Sequence, residues 1–332
     1  MSASGPGLLV AVDIGGTKTA LAVAAPDPGG PEPYLARHRF PTPPTAGGVL
    51  DALLPAAHRL VAGRPVSGIG VSFGGHVSLD TPPALRSLHV PGWEQVPLAT
   101  EMERALGAPV LVANDAEAAA RGEHACIPPG QREIDLAYLT ISTGVGGALL
   151  LRGRPHRGRN GLAGEVGHIR LRDTGACSCG GQGHLEAFAS GPAIARAAAE
   201  AVRRDPTDPT ALRARLDRDG ALTARDVDAA ARGGDPLAAA VLAEAGELVG
   251  QASAMIGLLL DPDVILVGGG VSQSGDAFWE PLRAAVRADV LRHVLVRPAL
   301  LGPDSALRGA LELAADAARG AGELRQPAAV AP

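Results

Sequence analysis

The chain of 332 residues carries 30 basic and 35 acidic residues, a formal net charge of −5 with histidine neutral. That balance gives no basic footprint for nucleic acid, and 4 Phe, 2 Trp and 2 Tyr provide no aromatic platform for stacked bases. Hydrophobic residues at 46% suffice for a core, three cysteines make no disulfide framework, and 44 Gly with 28 Pro stop short of a low-complexity composition.

The length suits about two domains. Residues 8–14 read as a buried strand and 19–25 as a second, joined by the glycine turn Gly15-Gly16-Thr17-Lys18. Residues 41–45 read as a loop, 49–61 as a helix, 66–73 as a strand, 110–113 as a short strand and 116–126 as an alanine-rich helix. Pro-Pro pairs at 43–44, 82–83 and 128–129 punctuate loops. The pattern then restarts: strands at 134–142 and 148–152 flank a second glycine turn, Thr143-Gly144-Val145-Gly146-Gly147. The run IDLAYLTISTGVGGALLL echoes LLVAVDIGGTKTALAV and suggests a duplicated unit, the alternative being two unrelated hairpins.

Helices dominate the second half of the chain. Ser190-Gly191-Pro192 opens one through Arg203, and 236–260 reads as a long, nearly all-apolar helix that implies burial. It stops at Asp261-Pro262; a buried strand at 264–267 then ends in Gly268-Gly269-Gly270, and a further helix starts near Gly275. The tail 320–332 reads as frayed. The most apolar stretch, 252–260, is half the length of a bilayer span, and no charged n-region opens the chain. A soluble, cytoplasmic protein is expected.

Three glycine-rich segments bear on phosphate chemistry. At a strand end, Asp13 can orient magnesium-bound water, while Gly15, Gly16 and Thr17 bring backbone N–H groups and a hydroxyl toward phosphate oxygens. An ordinary hairpin turn is the plain alternative. Thr143–Gly147 and Gly268–Gly270 offer two more such places, the last against a nucleotide. Lys18 is the only lysine among the 30 basic residues, which suggests that this turn needs a compact ammonium near phosphate or Asp13. Asn114-Asp115 sits where a strand breaks into a helix; it reads as a cleft carboxylate or, as a lone dipeptide, a helix cap. Glu165 and His168 lie three residues apart, and Glu186 comes after a cysteine cluster; carboxylates there suit vicinal hydroxyls, or else a solvated loop and a helix start. His168, Cys177, Cys179 and His184 provide four donors suited to tetrahedral zinc, although their spacing matches no zinc finger. His76 reads as an exposed loop histidine, Trp93 as a packing residue, and Cys126 as a small helix residue.

Taken in order, DIGGTK, ND, STGVGG, GEVGH, CxCGxxG and VGGGVS resemble the ROK family of sugar kinases, over about residues 8–319. The resemblance implies an α/β fold of two lobes, duplicated actin-like ATPase (ribonuclease H-like) domains with a cleft between them. The small lobe would span 1–118, completed by a helix at about 305–319, and the large lobe 119–304 with a zinc loop at 168–184. It implies Asp115 as general base toward a sugar 6-hydroxyl attacking the γ-phosphoryl group of ATP, with Asn114 holding a neighbouring hydroxyl. Glu165, His168 and Glu186 would line the sugar pocket with Gly74 and Gly75. Asp13, Gly15, Gly16, Thr17, Lys18, Thr143, Gly144, Gly146, Gly147, Gly269 and Gly270 would face Mg-ATP. The family's third zinc cysteine is His184 here, which makes a Cys2His2 set of closed, structural type. Glucose is the expected sugar, N-acetylhexosamines and other hexoses the alternatives, and a homodimer or homotetramer the expected assembly. Only twelve residues precede Asp13, so a kinase is expected rather than one of the family's DNA-binding sugar sensors.

Overall fold

The computed structural model describes residues 7–27, 33–80, 84–87, 89–205, 207–287 and 293–320. The Pro-Pro pair at 82–83 and the tail beyond 320 lie outside them. The elements run β1 (Leu8–Ile14), β2 (Lys18–Ala24), β3 (Tyr34–Pro41), α1 (Ala46–Val61), β4 (Val66–Phe73), β5 (His76–Val77) and β6 (Leu85–Arg86). Next come α2 (Leu98–Leu106), β7 (Val110–Asn114), α3 (Asp115–Ala125), β8 (Leu136–Ile141), β9 (Val145–Leu151) and β10 (Arg154–Pro155). The chain continues through α4 (Glu186–Ala189), α5 (Gly191–Arg204), α6 (Leu212–Asp219), α7 (Ala224–Arg232) and α8 (Pro236–Leu260). It finishes with β11 (Val264–Gly268), α9 (Asp276–Arg287), β12 (Val296–Pro298) and α10 (Ser305–Ala318).

Two compact units result. The first comprises Met1–Arg132, Arg157–Leu162 and Asp304–Pro332, the second Glu133–His156 and Ala163–Pro303. The first holds a sheet ordered β3-β2-β1-β4-β7, the second a sheet ordered β10-β9-β8-β11-β12. In each, the first three strands of that order pair antiparallel and the rest parallel. The echo between the two hairpins is therefore a repeat of topology.

In the first unit, alternation along β1 divides two layers. Val10, Val12 and Ile14 pack with Leu53 of α1, Met102 of α2 and Trp93. Leu9 and Ala11 face Leu307, Ala310 and Ala314 of α10. Small residues let α10 come close: a Cβ on Gly70 of β4 would collide with the Ala310 carbonyl, and one on Gly309 with that of Ala118 in α3. Trp93 is 2% exposed and meets Phe73 edge-on at 5.1 Å, so it packs as expected. In the second unit α8 is buried along Leu242, Ala245, Leu248, Val249 and Ala252, among Ile265, Val267, Phe278 and Leu282. Asp235 caps it by accepting from the Ala238 N–H at 3.0 Å, and Asp261 ends it in the left-handed region at φ 43°.

The differences from the sequence reading have local causes. β3 (YLARHRFP) escaped because an exposed edge strand with three basic residues has no apolar run. α1 starts three residues early: Thr45 caps it through the Gly48 N–H, and that bond outweighs the poor propensity of Gly47-Gly48. β12 pairs along only three residues. The second glycine turn is shorter than expected, since Gly146 and Gly147 belong to β9 opposite Thr140 and Leu139. Gly268 likewise ends β11.

Candidate functional site

In the first unit, β1 and β7 deliver two aspartates toward each other. Asp13 is opposite Ser72 in the parallel β1–β4 register and accepts from its hydroxyl at 2.8 Å. Burial pushes the Asp13 carboxyl above its ordinary value, against the pull of that hydroxyl and of the Lys18 and Arg39 charges. Asp115 opens α3 one residue beyond the end of β7. Burial first, then the negative charge of Asp13, pushes its carboxyl up to about 6, while the Ala116 N–H donates to it at 2.9 Å. Such a carboxylate is a better proton acceptor than a free aspartate and is still ionised at neutral pH.

Asn114 works at both ends of its amide. Its Oδ1 accepts from the Ala116 N–H at 2.9 Å, which bears out the cap reading, and its Nδ2 donates to the Gly75 carbonyl at 2.8 Å. Gly74 is close by, its N–H donating to the Ile14 carbonyl at 2.8 Å. A Cβ on Gly74 would lie 3.8 Å from Asp115 Oδ2, so this backbone borders the carboxylate. The turn after β1 closes through the Gly15 N–H to the Lys18 carbonyl at 3.0 Å. Thr42 braces it, donating to the Gly15 carbonyl at 2.7 Å and meeting the Thr19 hydroxyl at 2.9 Å. Gly16 is packed against the His89 side chain, while Thr17 is exposed. His76 is exposed on β5.

The sequence did not reveal Glu117. It is 8% exposed in the first turn of α3, and both its oxygens are paired. Arg157 grips them in a fork at 2.6 and 2.8 Å, and Arg121 adds 3.1 Å before continuing to Asp316 of α10 at 2.9 Å. Burial pushes the Glu117 carboxyl up, but the two guanidinium groups outweigh it and hold it below the ordinary value. The segment Arg157–Leu162 is thereby fastened to the helix that begins with Asp115. An i, i+4 Glu-Arg pair was visible in the sequence; the partner forty residues away was not.

In the second unit, His168, Cys177, Cys179 and His184 gather with one donor atom each, all within 4.8 Å of one another. A tetrahedral zinc with bonds of about 2.0–2.3 Å needs edges of roughly 3.3–3.8 Å, so a slight contraction closes the cage. The loop is an irregular hairpin with bridges Arg170–His184 and Ala176–Gln182. Cys177 and Gly181 close its tip, the Cys177 N–H donating to the Gly181 carbonyl at 2.9 Å. A side chain on Gly181 would strike the His184 ring, which is why a bare backbone is needed there. The donor chemistry and this clearance both fit zinc. His168 points Nδ1 toward Cys177 Sγ, at 3.9 Å, and Nε2 toward Glu165, at 3.8 Å. One imidazole can therefore serve the cage and the exposed Glu165 side together.

Glu186 opens α4 but faces inward. Its Oε2 accepts from the Val145 N–H at 3.0 Å, and its Oε1 from the Ser178 hydroxyl. Thr143 is exposed beside Gly144, at whose α-carbon a Cβ would lie 2.7 Å from Glu186 Oε2. On β9, a Cβ on Gly147 would come within 2.7–2.8 Å of the Gly164 carbonyl, Val166 and the Tyr138 carbonyl, so Gly147 is a packing glycine. Gly269 (φ 85°) lies against the Ile141 backbone, and Gly270 is exposed to open space.

Two five-stranded sheets of one topology define a duplicated actin-like ATPase fold. The profile of the ROK family matches residues 9–317, and the chain belongs to that family. It is 34% identical over 316 residues to a glucokinase of Streptomyces coelicolor, covering 93% of this chain and 98% of that one. An N-acetylmannosamine kinase of Vibrio cholerae is 30% identical over 311 residues, 91% and 97% of the two chains. Among solved structures, a ROK family glucokinase from Streptomyces griseus in complex with glucose and AMPPNP superposes with a TM-score of 0.77. It is 35% identical, with coverage of 93% and 99%. No helix of the described residues is long and apolar enough to cross a membrane.

Proposed function

We propose that the protein is a cytoplasmic, ATP-dependent sugar kinase that phosphorylates the 6-hydroxyl of a hexose, glucose foremost. The observation that carries this reading is Asp115, a half-buried carboxylate at the head of α3 with its carboxyl raised to about 6 beside Asp13. As the sugar oxygen forms its bond to the γ-phosphorus, the bond from phosphorus to the β,γ-bridging oxygen breaks and ADP leaves. Asp115 takes the hydroxyl proton. Asn114, the Gly74-Gly75 backbone, Glu165, His168 and Glu186 orient the sugar. Asp13 is the residue that would hold Mg2+ through its water, and the donor phosphates meet Gly15, Gly16, Thr17 and Lys18. Thr143, Gly144, Gly146, Gly269 and Gly270 attend the nucleotide, and Gly147 serves by letting β9 pack closely behind them.

His168, Cys177, Cys179 and His184 are the residues that would hold Zn2+. Four protein donors leave no open position, so the chemistry supplied is structural: the ion fixes the loop and the His168 ring. A homo-oligomer, dimer or tetramer, is part of the same reading. The kinship with the Vibrio cholerae enzyme favours N-acetylmannosamine as the second choice of sugar.

The test is a coupled assay of the purified chain with Mg-ATP against glucose, mannose, N-acetylglucosamine and N-acetylmannosamine. Glucose is expected to give the highest kcat/KM. A preference for an N-acetylhexosamine would overturn the sugar assignment, and no turnover on any of them the kinase reading.

A further inference from the structure

The glycine turn between β8 and β9 is braced from outside at both ends. At one end the Gly191 N–H, first in α5, donates to the Ser142 carbonyl at 2.7 Å. At the other, Glu186 accepts from the Val145 N–H at 3.0 Å. Across the turn the Ser142 N–H reaches the Gly144 carbonyl at 2.8 Å. Residues 186–191 thus form a bracket around 142–145. The Glu186 oxygen that does not touch the turn belongs to the metal loop, where it receives the Ser178 hydroxyl and faces the Cys177 thiol at 3.6 Å.

The two loop donors are unequal: a hydroxyl is a strong donor and a thiol a weak one, so Ser178 is the group that fixes Oε1. Without that hydroxyl the carboxylate is held only by the Val145 N–H and is free to turn away from it.

We infer that Ser178 is a positioning residue: through Glu186 it couples the metal loop to the glycine turn at 142–145, and so sets how tightly the phosphates of a nucleotide donor are held. The inference rests on reading that turn as the donor's cradle. It gives the loop an effect on nucleotide affinity in addition to its place beside the sugar residues.

The experiment uses the purified zinc-loaded full chain and its Ser178→Ala and Ser178→Thr variants. Zinc per chain is measured by atomic absorption, and the affinities for Mg-AMPPNP and for glucose by calorimetry. Ser178→Ala should keep its zinc and lose about fivefold in Mg-AMPPNP affinity, clearly more than it loses for glucose; Ser178→Thr should restore the nucleotide affinity. Unchanged nucleotide affinity in Ser178→Ala, or an equal loss of glucose affinity, overturns the coupling. A wild-type chain that binds Mg-AMPPNP but transfers no phosphoryl group defeats the kinase reading alone, and a chain that binds no Mg-AMPPNP defeats both.

Discussion

The hairpin turns of the two units start from one plan and are secured by different means. After β1, the turn is held by Thr42, a residue just past the edge strand of the same sheet, whose hydroxyl reaches the Gly15 carbonyl. After β8, the turn is held by Glu186 and Gly191, which arrive forty to fifty residues later, beyond the metal loop. The strand ends differ too. β1 and β7 lead to Asp13 and Asp115, whereas β11 ends in glycine. A repeated sheet can specialise in this way because its strands are specified by buried apolar residues. The two turns are fixed by groups outside the paired strands, a side chain in one unit and a side chain with a backbone N–H in the other.

If the first unit holds the proton chemistry, Asp115→Asn should give the largest effect, a loss of about 10²–10⁴ in kcat with sugar affinity nearly kept. In the wild type, kcat/KM should rise with pH up to about 6 and level above it, because the base works ionised. Stability should move the opposite way. Between the ordinary 3.8 and about 6 the folded chain retains a proton that the unfolded chain has lost, so this group's contribution falls as pH rises through that window. At pH 7, Asp115→Asn should therefore raise unfolding stability, by up to about 3 kcal/mol. A variant with wild-type turnover would break the comparison at its strongest point.

Glu117→Ala comes next. It leaves the half-buried Arg157 without its partner and Arg121 with Asp316 alone, and should cost about 2–3 kcal/mol in denaturant unfolding. A loss below about 1 kcal/mol would mean that the fork at Arg157 opens to water at no cost. For the second unit, His184→Ala should weaken zinc binding at least about tenfold, read by chelator competition, without moving the rise in activity near pH 6. Loss of that rise together with the metal would mean the two units do not divide the work. The smallest effect belongs to Thr42→Val, which keeps the shape but strips the hydroxyl from the Gly15 carbonyl. About 1 kcal/mol of stability should go, with zinc content unaltered.

Much of this was legible in the chain. β1, β4, β7, α8 and β11 announced themselves because continuous apolar runs bounded by Gly, Pro or Asp leave few alternatives. The four His and Cys residues were visible as a candidate set, since three of them occupy eight residues and the glycines between them allow a tight loop. β3 was not, because edge strands carry charge. Glu186 could be named as a site residue, yet its bonds to Val145 and Ser178 depend on how three loops meet.

The amino-acid order alone determined the duplicated α/β plan, the glycine turns and the family, because those depend on periodicity and on residue types spaced a few positions apart. The tertiary structure decided the chemistry of particular groups. Asp115 is raised to about 6 only because folding buries it beside Asp13, a hundred residues earlier in the chain. Glu117 remains ionised because Arg157 returns to it from forty residues away. Burial and the distance between charges exist only once the chain has closed on itself.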